Sequence, residues 1–295
     1  MARRHPRLRR LAILAGAVVA VLALLELAGP EGGGLADIFA LRSAVGLLEL
    51  TGVIQDAGEA IDTLERFRRH SATVAVVLRI DSPGGAVAPA QELYDAVWRL
   101  RERKPVVASL GNVAASGGYY VASAANLIVA DPGTITGSIG AIMGVPYYKP
   151  LAEKVGISED VVKSGRYKDT GHPLRPLSAD ERALLQGMVD DVLGQFIEAV
   201  ARGRGIEVAR VRELADGRIY SGAQAQAVGL VDRLGSLDTA TRLAWEQAGQ
   251  RGEPRVRLVR LRRPPWWLRF LDEARVAGPP QLPGLLLLYP GPVLE

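Results

Sequence analysis

The 295-residue chain contains no cysteine and only three histidines, His5, His70 and His172. The first absence excludes a thiol nucleophile, a disulfide framework and a thiolate metal centre; it leaves the redox compartment open. The second removes any histidine-rich metal site, and neither a metal nor a cofactor is expected. Lysine is scarce as well. Of the 36 Lys and Arg residues only Lys104, Lys149, Lys154, Lys163 and Lys168 are lysine. An excess of positive charge is also missing once its location is considered. Five arginines fall within the first ten residues, and without them the formal net charge of +4 becomes −1. No basic face remains that would predict a nucleic-acid partner.

What is present begins with an apolar run. Residues 11–25 are unbroken apolar, Glu26 interrupts, and Leu27 and Ala28 precede Gly29-Pro30. A membrane span needs about 20 apolar residues, so residues 11–28 are a slightly short signal anchor. The arginines of residues 1–10 would hold its start in the cytoplasm and leave the rest of the chain outside. A cleaved signal peptide is the rival reading. Glu26 spoils a small-x-small cleavage site near Ala28, which favours the uncleaved anchor. Residues 29–43, opening on Gly-Pro-Glu-Gly-Gly-Gly, read as a linker.

From residue 44 to about 250, short apolar runs alternate with helical patterns. Residues 46–54, 74–80, 105–110 and 127–130 are strand-like; 59–70, 88–103, 117–125, 178–203, 207–214 and 236–250 are helical. The run VAVVLRI at 74–80 predicts a strand buried on both faces, and the alternation predicts an α/β domain with a parallel sheet covered by helices. Residues 251–295 change character, with eight Arg against three acids up to residue 275, Trp266-Trp267, and the apolar run LLLLY at 285–289. This extension suits either a membrane surface or packing on the chain's own body or a neighbouring copy, and the second is favoured.

Four motifs carry chemistry. RIDSPGG (79–85) lies where a strand meets a helix. Pro83 fixes one dihedral, and Gly84 and Gly85 permit conformations other residues avoid, so the turn can aim an N–H at a developing oxyanion. AASGGYY (114–120) sets Ser116 among small residues at a helix start. Gly117 and Gly118 would let a substrate backbone approach, a nucleophile elbow without the usual spelling; Ser116 could equally be a helix cap. In KSGRYKDTG (163–171) a lysine can serve as base where burial strips its proton, which arginine cannot. His172 is the one histidine suitably placed for the same work, and Lys163, Lys168 and His172 all stay open on the residues alone. In TITGSIG (134–140), Ser138 can hydrogen-bond a neutral lysine or simply close a turn.

In this order the four motifs, with GRIYSGAQAQAVGLVDRLG at 217–235, resemble the signal peptide peptidase A family of bacterial Ser-Lys peptidases, over about residues 46–245. The resemblance implies a Clp/crotonase-like fold of repeated ββα units in a spiral, preceded here by a transmembrane helix. It implies Ser116 as nucleophile, Lys168 rather than Lys163 as base, Gly85 as oxyanion donor, Ser138 as support for the lysine, and Gly84, Gly117 and Gly118 along the substrate groove. It also implies a single-copy chain forming ring-like homo-oligomers at the bacterial cytoplasmic membrane, with its body on the extracytoplasmic side. Its substrates would be peptides such as cleaved signal peptides or membrane-protein fragments. In some members the lysine comes from another part of the assembly, so pairing within one subunit is an expectation. The rival functions are a crotonase-like thioester enzyme, disfavoured because no Glu lies in the four motifs, and a non-catalytic membrane scaffold.

Overall fold

A computed structural model describes residues 43–259, residue 261 and a strand at 286–288. The expected anchor at residues 11–28 lies outside the described residues. Among those described, no helix is long and apolar enough to cross a membrane. The chain divides into two compact units, Met1–Ser43 and Ala44–Glu295; the sheet and its helices belong to the second.

The main sheet is built on β1 (Ala44–Thr51), β2 (Thr73–Ser82) and β4 (Val106–Ala115), which run parallel in the spatial order β4-β2-β1. The apolar run in β2 is explained by its two covered faces. Val76, Leu78 and Ile80 point into one core with α1 (Gly58–Arg69), α2 (Val87–Arg101), α3 (Gly117–Ser123) and the C-terminal half of α5 (Ala179–Arg204). Ala75 and Val77 point into a smaller core closed by Ala240, Ala244 and Trp245 of α8 (Leu237–Gln247). With no face left for water, alternation vanishes from the sequence.

Short strands complete the sheet: β5 (Leu127–Ala130) and β6 (Ile135–Gly137) parallel to β4, β7 (Ile219–Ser221) antiparallel to β6, β8 (Arg233–Leu234) parallel to β5, and β9 (Val256–Val259) parallel to β1 at the edge. Two further strands, β3 (Gly84–Ala86) and β10 (Leu286–Leu288), form an antiparallel pair of their own. Both β9 and β10 come from the stretch 251–295, so these parts of it pack on the chain's own body. The remaining helices are α4 (Lys149–Lys154), α6 (Val208–Leu214) and α7 (Gly222–Ala227).

Helix α5 starts with a reciprocal cap. Ser178 Oγ accepts from the Glu181 N–H at 3.2 Å and the Glu181 carboxylate accepts from the Ser178 N–H at 2.9 Å. It ends at Gly205 in the left-handed region. Within α5, the residues before Phe196 bury only Glu181.

Candidate active site

Strand β4 is two residues longer than its partner where they end. Ile80 pairs with Leu110 but Ser82 pairs with Ala114, so residues 111–113 bulge, and the bulge re-aims the chain beyond it. The polar residues of the 79–85 motif hold it. Arg79 donates to Ser109 Oγ and the Leu110 carbonyl at 3.0 and 2.9 Å, and the Asp81 carboxylate accepts from the Val113 N–H at 3.1 Å. Residue 111 must be glycine, because a Cβ would sit 2.8 Å from the Asp81 side chain.

Three of the four motifs then meet at the carboxyl ends of β2, β4 and β6, where open parallel sheets bind their ligands. Ser116 lies between β4 and α3, its N–H bonded to the Gly137 carbonyl at 2.8 Å. This bond sets Ser138 beside it. Gly118 passes so close to the end of β2 that a Cβ there would be 2.8 Å from the Ser82 carbonyl. Gly85 is more tightly constrained, since an added Cβ would be 2.0 Å from the Ile54 carbonyl. Gly84, at φ 101°, makes the turn. Gly117 is buried at the first position of α3.

Ser116 and Ser138 are the two non-glycine residues among those described with positive φ, at 52° and 51°. Such backbone costs about 1–3 kcal/mol and persists where the surroundings impose it. Ser116 is 1% exposed, makes no capping bond with its side chain, and its buried Oγ has no hydrogen-bond partner among the described residues. The cap reading of Ser116 is therefore not what the structure contains. A strained serine with a free, desolvated hydroxyl, aimed by a strand-to-helix turn, can act as a nucleophile if a base comes within hydrogen-bond reach. The Tyr220 hydroxyl is likewise buried without a partner, its ring packed on Gly137; burial raises its pKa.

The fourth motif makes no hydrogen bond to Ser116 or Ser138 among the described residues. Lys168 is exposed in the irregular segment between α4 and α5, and its Nζ has no hydrogen-bond or ion-pair partner among the described residues. Neither Ser116 Oγ nor Ser138 is bonded to it. The other two candidate bases are engaged elsewhere: Lys163 Nζ donates to Asp169 Oδ1 at 2.6 Å, and His172 Nε2 lies 3.3 Å from Glu159 Oε2.

Residues the sequence did not single out anchor the lysine's segment. Asp169, next to Lys168, accepts from Arg175 Nε at 2.9 Å as well as from Lys163. Arg175 continues to both oxygens of Glu181 at 2.5 and 2.8 Å, and Glu181 caps α5. Arg175 and then Lys163 hold the Asp169 carboxyl far below the usual range. Arg175, then the Ser178 N–H, holds Glu181 down to about 2. A chain of ion pairs thus ties the residue beside Lys168 to a helix end. The Ser178-x-x-Glu181 spacing is a readable capping signal; the reach of Arg175 is not.

The chain matches Peptidase family S49 over residues 99–251. It is 44% identical over 213 residues to a Synechocystis protein named as a candidate protease, covering 70% of this chain and 76% of that one. It is 35% identical over 207 residues to an Enterococcus faecium protein named as a candidate signal peptide peptidase SppA, covering 65% and 60%. It is 34% identical over 239 residues to the chloroplastic serine protease SPPA of Arabidopsis thaliana, covering 79% and 35%. The chain thus spans less than two thirds of the last two. The matched segment carries the Ser116 elbow, the strand β6 beside it and the lysine motif, and on these grounds the chain belongs to peptidase family S49, the SppA proteases.

Proposed function

We propose that this peptidase is a Ser-Lys endopeptidase acting on extended peptides. The observation that carries the reading is Ser116: strained, buried, unpartnered, and set beside a glycine turn at the carboxyl ends of three adjacent parallel strands. In the mechanism, the neutral amine of Lys168 takes the proton from Ser116 Oγ as the oxygen bonds to the peptide carbonyl carbon. The Gly85 N–H receives the oxyanion, a donor whose loss typically costs about 3 kcal/mol of barrier. The intermediate expels the amine, which takes the proton from Lys168. The neutral Lys168 amine then takes a proton from water as the water oxygen bonds to the acyl carbon, and returns it to Ser116 Oγ as the bond from Ser116 Oγ to the acyl carbon breaks. Ser138 orients the lysine.

Lys168 must approach Ser116 for this chemistry, through movement of its segment or from a neighbouring copy. Exposed apolar side chains on and near that segment, among them Tyr148, Leu151, Val155, Ile157 and Val162, favour a covered surface and hence the ring-like homo-oligomer. The parallel sheet with helical cover fits the Clp/crotonase-like spiral. Residues 11–28 would anchor the protein in the bacterial cytoplasmic membrane with its body on the extracytoplasmic side. Cleaved signal peptides and membrane-protein fragments are then the natural substrates. A thioester reading gains nothing, because Glu181, the buried carboxylate among the described residues, is consumed by Arg175. Hydrolysis of a fluorogenic peptide tests the proposal. Ser116→Ala and Lys168→Met are each expected to abolish turnover in a folded protein. Full turnover by Lys168→Met would remove the lysine from the mechanism.

A further inference from the structure

Helix α5 is held at both ends, and a glycine that no packing requires lies between. Its first turn grips the segment that carries Lys168. Arg166 pairs with Asp180, and Thr170 Oγ1 donates to Glu181 Oε1 at 3.4 Å. Arg175 donates to the Glu181 carboxylate and to the Asp169 carbonyl, the latter at 3.0 Å. Backbone turns make the segment one piece: the Lys168 N–H donates to the Gly165 carbonyl at 3.2 Å, and the Thr170 N–H to the Tyr167 carbonyl at 3.1 Å. Lys168 is thus bracketed by attachments to Asp180 and Glu181. The far end of α5 is fixed to the elements around Ser116. Phe196 packs on Tyr120 of α3 with ring centroids 4.8 Å apart. Tyr94 of α2 donates to the Ala199 carbonyl at 3.1 Å. Gly203 passes so close to α3 that a Cβ would be 2.0 Å from the Ser123 carbonyl. Gly194 stands between these ends. A Cβ there would meet nothing within 4 Å outside the helix itself, yet inside a helix glycine is markedly poorer than alanine.

We propose that Gly194 is the flexure point of α5, and that bending there carries Lys168 to Ser116. The proposal rests on the Ser-Lys reading and gives it a moving part. Lys168 is exposed, whereas Ser116 Oγ is buried without a partner, so the amine must shift before it can take the proton. At 1.5 Å of rise per residue, Glu181 stands about 20 Å from Gly194 along the axis, and a bend of about 10° displaces it by about 3 Å. Val192 and Leu193 pack at the margin of the core. They lie within about 3 Å of Gly194 along the axis, so the same bend moves them by only about 0.5 Å and the core survives it. The half that swings buries no residue except Glu181, and Glu181 travels with its own partners. Gly194 and Glu181 are therefore positioning residues that touch no reacting atom.

The test compares the full chain with Gly194→Ala and Gly187→Ala. At both positions a Cβ would meet open space, so both variants should melt above the parent. Only Gly194→Ala should lower kcat for a fluorogenic peptide, by about fivefold at unchanged KM, because the helix preference of alanine then opposes the bent state. Gly187 lies within the swinging half, and its variant should keep the parent's kcat. The bend itself is read by pulsed electron paramagnetic resonance. Spin labels go on Arg182→Cys in the swinging half and Asp95→Cys on α2, in a chain with no other cysteine, diluted with unlabelled protein. The distance distribution should be broader in the parent than in Gly194→Ala. Equal distributions with an unchanged kcat would overturn the proposal. A fall in kcat accompanied by a changed oligomeric mass would assign Gly194 to a contact between copies and overturn it as well. If no form hydrolyses peptide, the peptidase mechanism fails on its own account, and the spin-label comparison still decides whether α5 bends at Gly194.

Discussion

Replacing Ser116 by glycine should inactivate the protein and stabilise it. The residue holds φ 52°, a conformation costing a non-glycine residue about 1–3 kcal/mol, and glycine adopts it freely. Its buried Oγ lacks a partner, and an unsatisfied hydroxyl adds a penalty of about 1–3 kcal/mol. Against these gains stand about 0.5–1 kcal/mol of extra backbone entropy for glycine and about 0.8 kcal/mol for the lost methylene. The balance is a stabilisation of about 2 kcal/mol, or about 4–8 °C in melting temperature for a domain of this size. Ser116→Ala keeps the strain and loses only the hydroxyl, so it should fall between the parent and Ser116→Gly. Differential scanning calorimetry of the three proteins gives the order. A Ser116→Gly protein that melts at or below the parent would refute the claim that the elbow stores strain for the sake of chemistry.

Arg175→Ala should lower kcat while circular dichroism stays unchanged, because Asp169 beside Lys168 loses its tie to α5; an unaltered kcat would deny Arg175 a positioning role. The same ties should fail in acid. Asp169 and Glu181 have folded pKa values below their unfolded ones, so their contribution is complete above about pH 5 and is lost as pH falls toward 2. Nicking between α4 and α5 by an acid-active protease should increase across that window. Gly118→Ala should cost about 1–3 kcal/mol of stability by overpacking, since its Cβ would press on the Ser82 carbonyl at 2.8 Å; urea unfolding measures it.

The long elements were legible because burial leaves a periodic or continuous apolar trace. The run 74–80 reads as a doubly covered strand, and it is one. The serine elbow was legible only in part, since a serine followed by two glycines after a strand could equally have been a helix cap, and its backbone strain and free hydroxyl show only in the fold. The bulge in β4 was not legible, as it depends on Asp81 reaching a backbone N–H across the sheet. Strands of two or three residues such as β6, β7 and β8 are too short to show a period. The Asp169–Arg175–Glu181 chain depends on side-chain reach across an irregular segment, and β10 finds its partner some 200 residues earlier in the chain. Exposure of Lys168 is likewise set by a segment whose course no local pattern fixes.

The most direct measurement is covalent labelling of the intact protein by a fluorophosphonate, with the modified residue located by mass spectrometry. A single adduct on Ser116, abolished in Lys168→Met, is the expected outcome. An adduct elsewhere, or undiminished labelling of Ser116 without the lysine, would show that this serine is not activated by that amine.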